Sequence, residues 1–229
     1  PIAEDGDIAL YFLDLLTLNR PESDTVIYRA ETEDGLEFSE PVVALTYPDD
    51  ITDPYVLRLS DGNYRMFLAR PTEPPSVISA SSNNVLEFTP DGNTDTIYGA
   101  TPGVLLLPDN SIRLFVPALE GIASYISHNG VTYEREPGIR IDAAGTVITD
   151  PHPVYLSDGR YLMVYVAHPN GQYTTERDRL ASLEMHLAWS DDGFNWEIEP
   201  DMVKHGSVPG LVEAADGTLY IYYVDVNYE

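Results

Sequence analysis

The sequence predicts an all-β fold: a five-bladed β-propeller of four-stranded antiparallel blades, with incomplete first and last blades. Three observations support this prediction. Aromatic and aliphatic residues fill short runs, 18 Pro and 16 Gly punctuate the chain, and a unit of about 48 residues recurs along it. At 229 residues the chain can bury a full core as one domain, because propellers often exceed the usual domain length.

The clearest repeat is a hairpin of two strands. Four segments align without a gap, and in each a proline stands seven residues before the aspartate of a two-residue turn. The segments are ITDPYVLRLSDGNYRMFLA, GATPGVLLLPDNSIRLFVPA, ITDPHPVYLSDGRYLMVYVA and GSVPGLVEAADGTLYIYYVD. Asp-Gly and Asp-Asn pairs between apolar runs indicate hairpin turns, and proline is tolerated where a strand begins. Each segment therefore predicts the first two strands of a blade.

A second repeated element completes the blade. The runs VIYRAETEDGLEF, VISASSNNVLEF, SYISHNGVTYE and HLAWSDDGFNWE share a strand, a small polar turn and a closing aromatic residue. The closing residues are Phe38, Phe88, Tyr133 and Trp196. Added to the hairpin, this element gives a four-stranded meander, and several such sheets arranged radially protect one another's edges.

The repeats divide a single propeller domain, 1–229, into five units, at 1–48, 49–97, 98–146, 147–205 and 206–229. The first unit is expected to begin at its second strand, Ile8 to Leu13, after the Asp5-Gly6 pair, and the last to end after its second strand, Tyr220 to Val224. Either the two ends share one composite closing blade, or the chain is a fragment of a longer one. Because five second strands are present, five blades are favoured over four.

The charge of the chain restricts its partners. With 38 acidic and 12 basic residues, the net charge of −26 argues against nucleic acid and anionic membranes, which bind through Lys and Arg. No apolar run is long enough to span a membrane, and no signal peptide is visible. Cysteine is absent, which excludes disulfides and thiolate metal sites. We expect an extracellular or cell-surface protein, with a high-salt cytoplasm as the alternative.

The first strand of each blade lines the central channel, so the residues around the repeated prolines should face one funnel. Asp53 and Asp150 stand at two of these positions, with one intervening blade between them, and would face each other across the funnel. Paired carboxylates serve glycoside hydrolysis as base and acid, about 6.5–9.5 Å apart in an inverting enzyme. Mutual repulsion and burial would raise the pKa of one of them. The structural alternative is that each aspartate only caps a loop that enters a strand.

Three further funnel residues are candidates for substrate binding. Thr101 occupies the matching position of the intervening blade. His152 could donate to a sugar hydroxyl, join the acid–base system, or bind a divalent ion with the two aspartates; simple hydrogen bonding in a loop is the alternative. Tyr55 offers a flat ring for stacking on a sugar, or is a packed core aromatic. No cofactor is expected other than calcium in the channel.

The stretch HPNGQYTTERDRL, from His168 to Leu180, lengthens the fourth repeat and is expected to be a lid or recognition loop. Arg177 and Arg179 within it, together with Arg70 at the corresponding point of an earlier blade, could pair with a carboxylate or sulfate on an acidic sugar. Alternatively, these arginines balance the neighbouring Glu176 and Asp178.

The runs DPYVLRLSDGNYRMFLA, DPHPVYLSDGRYLMVYVA and AWSDDGFNWE resemble the five-bladed propellers of the arabinanase and invertase-like glycosidase superfamily. This resemblance implies a base aspartate at the start of one inner strand, a second aspartate in the next blade and an acid glutamate in the one after. Asp53 matches the base position, whereas Thr101 and Asp150 stand at the other two. Ser190, Asp192 and the closing Trp196 also resemble the Asp-box turn of sialidases, which is a structural device.

Two functions therefore remain open at the level of the sequence. The first is a carbohydrate-active propeller, a glycoside hydrolase-like protein that uses Asp53 and Asp150 in a central funnel. The second is a non-catalytic propeller that binds a glycan, an ion or a protein partner, or self-associates through its incomplete terminal blades, as one module of a longer surface or secreted protein.

Overall fold

The computed structural model describes most of the chain, namely residues 1–4, 6–13, 24–92, 97–168, 173 and 175–225. These residues form antiparallel sheets and a single short helix, which confirms the all-β prediction. The sheets follow one another along the chain as the blades of a β-propeller. Within the described part of the chain, no helix has the length and apolar character needed to cross a membrane.

Four sheets contain four or five strands each. The first consists of β1 (Ile2–Glu4), β2 (Asp7–Leu13), β3 (Thr25–Thr32) and β4 (Val42–Tyr47). The second consists of β5 (Thr52–Arg58), β6 (Tyr64–Arg70), β7 (Ser76–Ser82), β8 (Thr89–Pro90) and β9 (Ile97–Tyr98). The third consists of β10 (Gly103–Leu106), β11 (Ile112–Ala118), β12 (Gly121–Ser127), β13 (Glu134–Arg135) and β14 (Ile141–Asp142).

The fourth sheet consists of β15 (Val147–Tyr155), β16 (Tyr161–His168), β17 (Glu184–Ser190), β18 (Glu197–Ile198) and β19 (Lys204–His205). A last sheet has two described strands, β20 (Ser207–Glu213) and β21 (Leu219–Val224). The structure thus shows four blades of four or more strands, and a two-stranded sheet where the sequence predicted a fifth blade.

The first blade differs from the prediction. Its opening strand is present, since β1 pairs antiparallel with β2 and places Ile2 opposite Ala9. The prediction that this blade begins at its second strand was therefore wrong. A three-residue strand is too short to show the alternation of apolar and polar residues by which a strand is recognised in a sequence. Of the Asp5-Gly6 pair, Asp5 lies outside the described residues.

The inner strands begin with a backbone irregularity at the repeated proline. The residues before it have positive φ angles, of 53° at Asp53, 41° at Thr101, 53° at Asp150 and 49° at Val208. In β5, β15 and β20 the pairing register shifts across this point, as in a β-bulge. A bulge bends a strand and redirects its side chains. The aspartates therefore lie at bends, in a conformation that non-glycine residues seldom adopt.

The core lies between neighbouring sheets. The closing aromatic residues of three blades pack on the second strand of the preceding blade, in the pairs Phe88–Tyr11, Tyr133–Phe67 and Trp196–Phe115. Phe38 of the first blade packs in the same way on Tyr222 of β21, with ring centroids 5.6 Å apart. Leu211 of β20 shares a buried cluster with Val164 of β16. The two-stranded sheet therefore contacts both the fourth blade and the first.

The turn after the third strand of each blade is capped by side chains. In the fourth blade, Asp192 Oδ1 accepts the backbone amides of Phe194 and Asn195, and Ser190 Oγ accepts that of Gly193. The same pattern recurs in the other three blades, at Thr32–Asp34, Ser82–Asn84 and Ser127–Asn129. It is thus a general device of the repeat, and the likeness to an Asp-box stays a prediction.

The extension of the fourth repeat contains a short helix between β16 and β17. Helix α1 (Glu176–Ala181) begins with a capping box, in which Thr175 accepts the amide of Asp178 and the Asp178 carboxylate accepts the amide of Thr175. Reciprocal caps of this kind satisfy two backbone donors that the first turn leaves unpaired. Residues 169–172 and 174 of the predicted lid lie outside the described residues.

Candidate active site

A cavity of about 400 Å³ opens where the inner strands begin. Five strand starts line it, at Pro1, Pro54, Pro102, Pro151 and Pro209. The ends of β2 and β21 add apolar and aromatic side chains, among them Phe12, Leu13, Tyr222 and Tyr223. A concave, largely apolar pocket with few polar groups is the usual form of a small-ligand site.

Asp53 and Asp150 both line this cavity. Each accepts a hydrogen bond from the preceding threonine: Thr52 Oγ1 donates to Asp53 Oδ2 at 2.6 Å, and Thr149 Oγ1 to Asp150 Oδ2 at 3.1 Å. The pattern Thr-Asp-Pro thus supplies a carboxylate together with its donor. The structure brings the two aspartates into one site, as expected for residues that face a shared funnel.

Burial raises the pKa of both carboxyl groups. The pKa of Asp150 reaches about 7, because burial and, next, the negative charge of Asp53 disfavour its ionised form more than the donors Thr149 and Val208 favour it. Asp150 therefore holds a proton up to neutral pH. Two carboxyl groups in one cavity with one of them protonated can act as an acid and a base.

The inner strand starts are also joined to one another. The Asp150 amide donates to Thr101 Oγ1 at 3.2 Å, and Thr101 lines the cavity beside it. The Val208 amide donates to the Asp150 carboxylate. The Asp150 backbone is thus tied to the start of the third blade, and its carboxylate to the start of the last sheet.

Tyr55 and His152 form part of the cavity wall and contact each other. Their ring centroids are 4.4 Å apart, and the Tyr55 hydroxyl donates to the carbonyl of Pro153 at 2.5 Å. Burial raises the pKa of Tyr55 and lowers that of His152 well below its usual value, so both side chains are neutral. His152 Nε2 is buried and has no hydrogen-bond partner within the described part of the chain. The Tyr55 ring is packed against its neighbours, so little of it is exposed for stacking on a sugar, the role that we predicted from the sequence.

The candidate arginines lie away from the cavity. Arg70 pairs with Asp49 at 3.3 Å, and Arg177 is an exposed residue of α1. Neither is among the described residues that line the pocket. Nor do the described residues include any group of three or more His, Asp or Glu that could hold a metal ion. Calcium in the channel is therefore an expectation from the sequence alone.

Thr52, Thr149 and the contact of His168 with Thr149 were not predicted from the sequence, in which His168 marks only the start of a loop. Thr149 Oγ1 lies 2.9 Å from His168 Nε2, so the histidine is in contact with the residue that donates to Asp150. The threonines could have been found, because Thr-Asp-Pro occurs in two aligned repeats. The histidine could not, since its contact depends on the pairing of β15 with β16.

Comparison with known proteins yields no match to a family model and none to a curated protein. Among solved structures, the chain is similar to an endo-arabinase from Bacteroides thetaiotaomicron, at 15% identity and a TM-score of 0.66, over 96% of this chain and 89% of that one. A mutant of the GH43 protein BlXynB from Bacillus licheniformis has 14% identity and a TM-score of 0.71, over 97% and 47%.

A third similar structure is the GH32 β-fructofuranosidase BmSUC1 of Bombyx mori, at 12% identity and a TM-score of 0.68, over 96% of this chain and 52% of that one. At such identities the similarity shows the fold and not the activity. The protein has the β-propeller fold found in arabinanase and invertase-like glycoside hydrolases.

Proposed function

We propose that the protein hydrolyses a glycosidic bond in the central cavity, with Asp150 as the acid and Asp53 as the base. The observation that carries this proposal is the pair of aspartates in one cavity, with the pKa of Asp150 raised to about 7. A raised pKa is what a general acid needs at neutral pH. The fold shared with glycoside hydrolases supports the same assignment.

The reaction follows from the protonation states. Asp150 donates its proton to the glycosidic oxygen, and the bond from that oxygen to the anomeric carbon breaks. Asp53, as the ionised partner, accepts a proton from a water molecule whose oxygen attacks the anomeric carbon. The products are a hemiacetal and an alcohol, and the configuration inverts, because water attacks opposite to the leaving group.

The cavity favours a small neutral saccharide as substrate. Its lining combines two acidic side chains with apolar and aromatic groups, and includes neither Arg nor Lys among the described residues. An anionic sugar would be repelled by the ionised aspartate and would find no cation to pair with there. The rings of Tyr222 and Tyr223 offer apolar faces of the kind that sugars stack against.

The test is a hydrolysis assay with arabinan, xylan, sucrose and aryl glycosides as substrates. Asp53→Asn and Asp150→Asn should each reduce kcat by about 100-fold or more, because each removes one proton-transfer group. Asp201→Asn is the matched control, since Asp201 is an exposed carboxylate away from the cavity. Equal activity of the two cavity variants and the control would refute the proposed mechanism.

A non-catalytic sugar-binding module is the second candidate function. One observation favours it: the inner position between the two aspartates carries Thr101, where the resemblance implies an aspartate. A binder would retain its ligand in Asp150→Asn, because the amide keeps the shape and hydrogen bonding of the acid. An enzyme whose acid is removed would bind as well, so the separating result is a saccharide that the wild type binds in calorimetry and does not hydrolyse. An extracellular location and association through the terminal blades remain part of this proposal.

We also propose that the two-stranded sheet takes the fifth position of the ring. The packing of Phe38 on Tyr222 repeats the contact that joins the other neighbouring blades, and Leu211 packs toward the fourth blade. Five inner strand starts would then surround the cavity. Disruption of the contact between Phe38 and Tyr222 should therefore destabilise the protein.

A further inference from the structure

We propose that His168 is a positioning residue for Asp150, acting through the hydroxyl of Thr149. This inference rests on the proposed function, in which Asp150 is the acid. It assigns a role to the fourth repeat's extension, which begins at His168 and which the mechanism above does not use. The contacts that carry it are two consecutive hydrogen bonds that lead from His168 to the cavity.

The geometry of this chain is set by the fourth blade. His168 ends β16, Thr149 lies on the paired strand β15, and Thr149 immediately precedes Asp150. The distance from His168 Nε2 to Thr149 Oγ1 is 2.9 Å, and that from Thr149 Oγ1 to Asp150 Oδ2 is 3.1 Å. Both distances lie within the range of ordinary hydrogen bonds.

The direction of these hydrogen bonds determines the tautomer of the histidine. A threonine hydroxyl has one proton, and Thr149 donates it to Asp150 Oδ2. Its oxygen must then accept from His168, which requires a proton on Nε2. His168 thereby fixes the rotation of the hydroxyl, in the way that an outer hydrogen bond fixes a ligand or catalytic side chain.

The surroundings keep the ring in that form. Burial and, next, the positive charge of Arg179 on α1 lower the pKa of His168, so the ring is neutral at neutral pH and carries one N–H. Helix α1 thus places a cation where it opposes protonation of the ring. The extension of the fourth repeat thus supplies a charge that acts on His168.

The relay of hydrogen bonds from His168 through Thr149 to Asp150 has no counterpart at Asp53. Asp53 receives a hydrogen bond from Thr52, but the position of the aligned hairpin that matches His168 is Pro71, which has no side-chain donor. The oriented hydroxyl holds Asp150 Oδ2 as an acceptor, which disfavours protonation of that oxygen. A proton confined to one oxygen is better placed for transfer to a leaving group.

The test measures the ionisation of Asp150 directly, by ¹³C NMR titration of its carboxyl carbon in the absence of substrate. Thr149→Val and His168→Leu should each raise the pKa of Asp150 by about one pH unit, because a donor to the ionised form is lost or freed to rotate. His168→Gln should retain the wild-type value, since its amide N–H can replace Nε2–H. The double variant should match Thr149→Val alone, because His168 acts through Thr149.

An unchanged pKa in a folded His168→Leu variant, or additive effects in the double variant, would overturn the proposal. Where a saccharide is hydrolysed, kcat should fall about tenfold in His168→Leu with little change in KM. The titration measures the effect of His168 on the pKa of Asp150 even if no saccharide is cleaved. Absence of hydrolysis with the expected titration pattern would therefore reject the proposed function and leave the relay supported.

Discussion

The residues that precede the repeated prolines combine two unfavourable features. Asp53, Thr101, Asp150 and Val208 all have positive φ angles, although a residue before proline normally adopts an extended conformation. Such a conformation costs about 1–3 kcal/mol for each non-glycine residue. Because it recurs at four inner strands whatever the side chain, the bend belongs to the architecture. An aspartate placed there is directed to the cavity by the backbone.

Asp150 should lower the stability of the protein at alkaline pH. Its pKa is raised from 3.8 in the unfolded chain to about 7 in the fold, so the folded state binds the proton more tightly. The free energy of unfolding should therefore fall as the pH rises from about 4 to about 7. Asp150→Asn cannot ionise, so it should be more stable than wild type at pH 8, by up to about 4 kcal/mol.

Urea denaturation at pH 4 and pH 8 provides the measurement. The two proteins should have similar stability at pH 4, where both side chains are uncharged. Asp201→Asn is again the control and should show no such gain at pH 8. An Asp150→Asn variant that is less stable than wild type at both values would show that the carboxylate is structural, as the capping interpretation holds.

The residues of the site differ in how far they could be predicted. Asp53 and Asp150 were found because the repeat fixes their position relative to a proline and a turn. The contact of His168 with Thr149 was not predicted, because it joins residues 19 positions apart through the pairing of two strands. Arg70 and Arg177 were predicted to bind substrate because they occupy corresponding points of two aligned repeats. Alignment places the backbone of a residue, but it does not determine the direction that a long side chain takes.

The elements of the fold are held together by the closing aromatic residues. Phe88 packs edge-on against Tyr11 at 5.8 Å, and Phe38 packs likewise against Tyr222 at 5.6 Å. Aromatic pairs of this geometry contribute about 0.5–1.5 kcal/mol beyond the area that they bury. The first pair joins two complete blades, whereas the second joins a complete blade to the two-stranded sheet.

Double-mutant cycles with leucine at these positions should give similar coupling energies for both pairs, of about 0.5–1.5 kcal/mol. The Phe88 and Tyr11 cycle is the reference, since that contact lies between two complete blades. Guanidinium denaturation at pH 7 is the measurement. Coupling in the reference pair without coupling between Phe38 and Tyr222 would mean that the two-stranded sheet does not close the ring.

Strand prediction succeeded where the repeat was long enough to be recognised. The inner and second strands of the hairpins lie where proline and the Asp-Gly or Asp-Asn turn place them. Strand β1 was missed because three residues carry no periodicity. Helix α1 was not predicted, although its capping box, from Thr175 to Asp178, is a recognised signal for the start of a helix. The segment was interpreted only as an insertion into the repeat, and so its own helix signals were not considered.

At the scale of the whole molecule, the arrangement of the sheets brings the starts of their inner strands together around a single cavity. The same bend recurs at the starts of β5, β10, β15 and β20, and variation of the residue before the proline creates the site. The acidic surface, with a net charge of −26, surrounds a cavity whose own acids are partly neutralised by protonation. The fold could be derived from internal repetition, whereas substrate and linkage depend on cavity shape, which no repeat encodes.

The pH dependence of hydrolysis is the most direct test of the proposed role of Asp150 as the acid. With a saccharide that the protein cleaves, kcat should fall as the pH rises through about 7, because Asp150 loses the proton that it donates. Asp150→Asn should lack this dependence and retain little activity, whereas Asp201→Asn should follow the wild type. Constant activity from pH 6 to pH 9, or full activity of Asp150→Asn, would contradict the assignment of Asp150 as the acid.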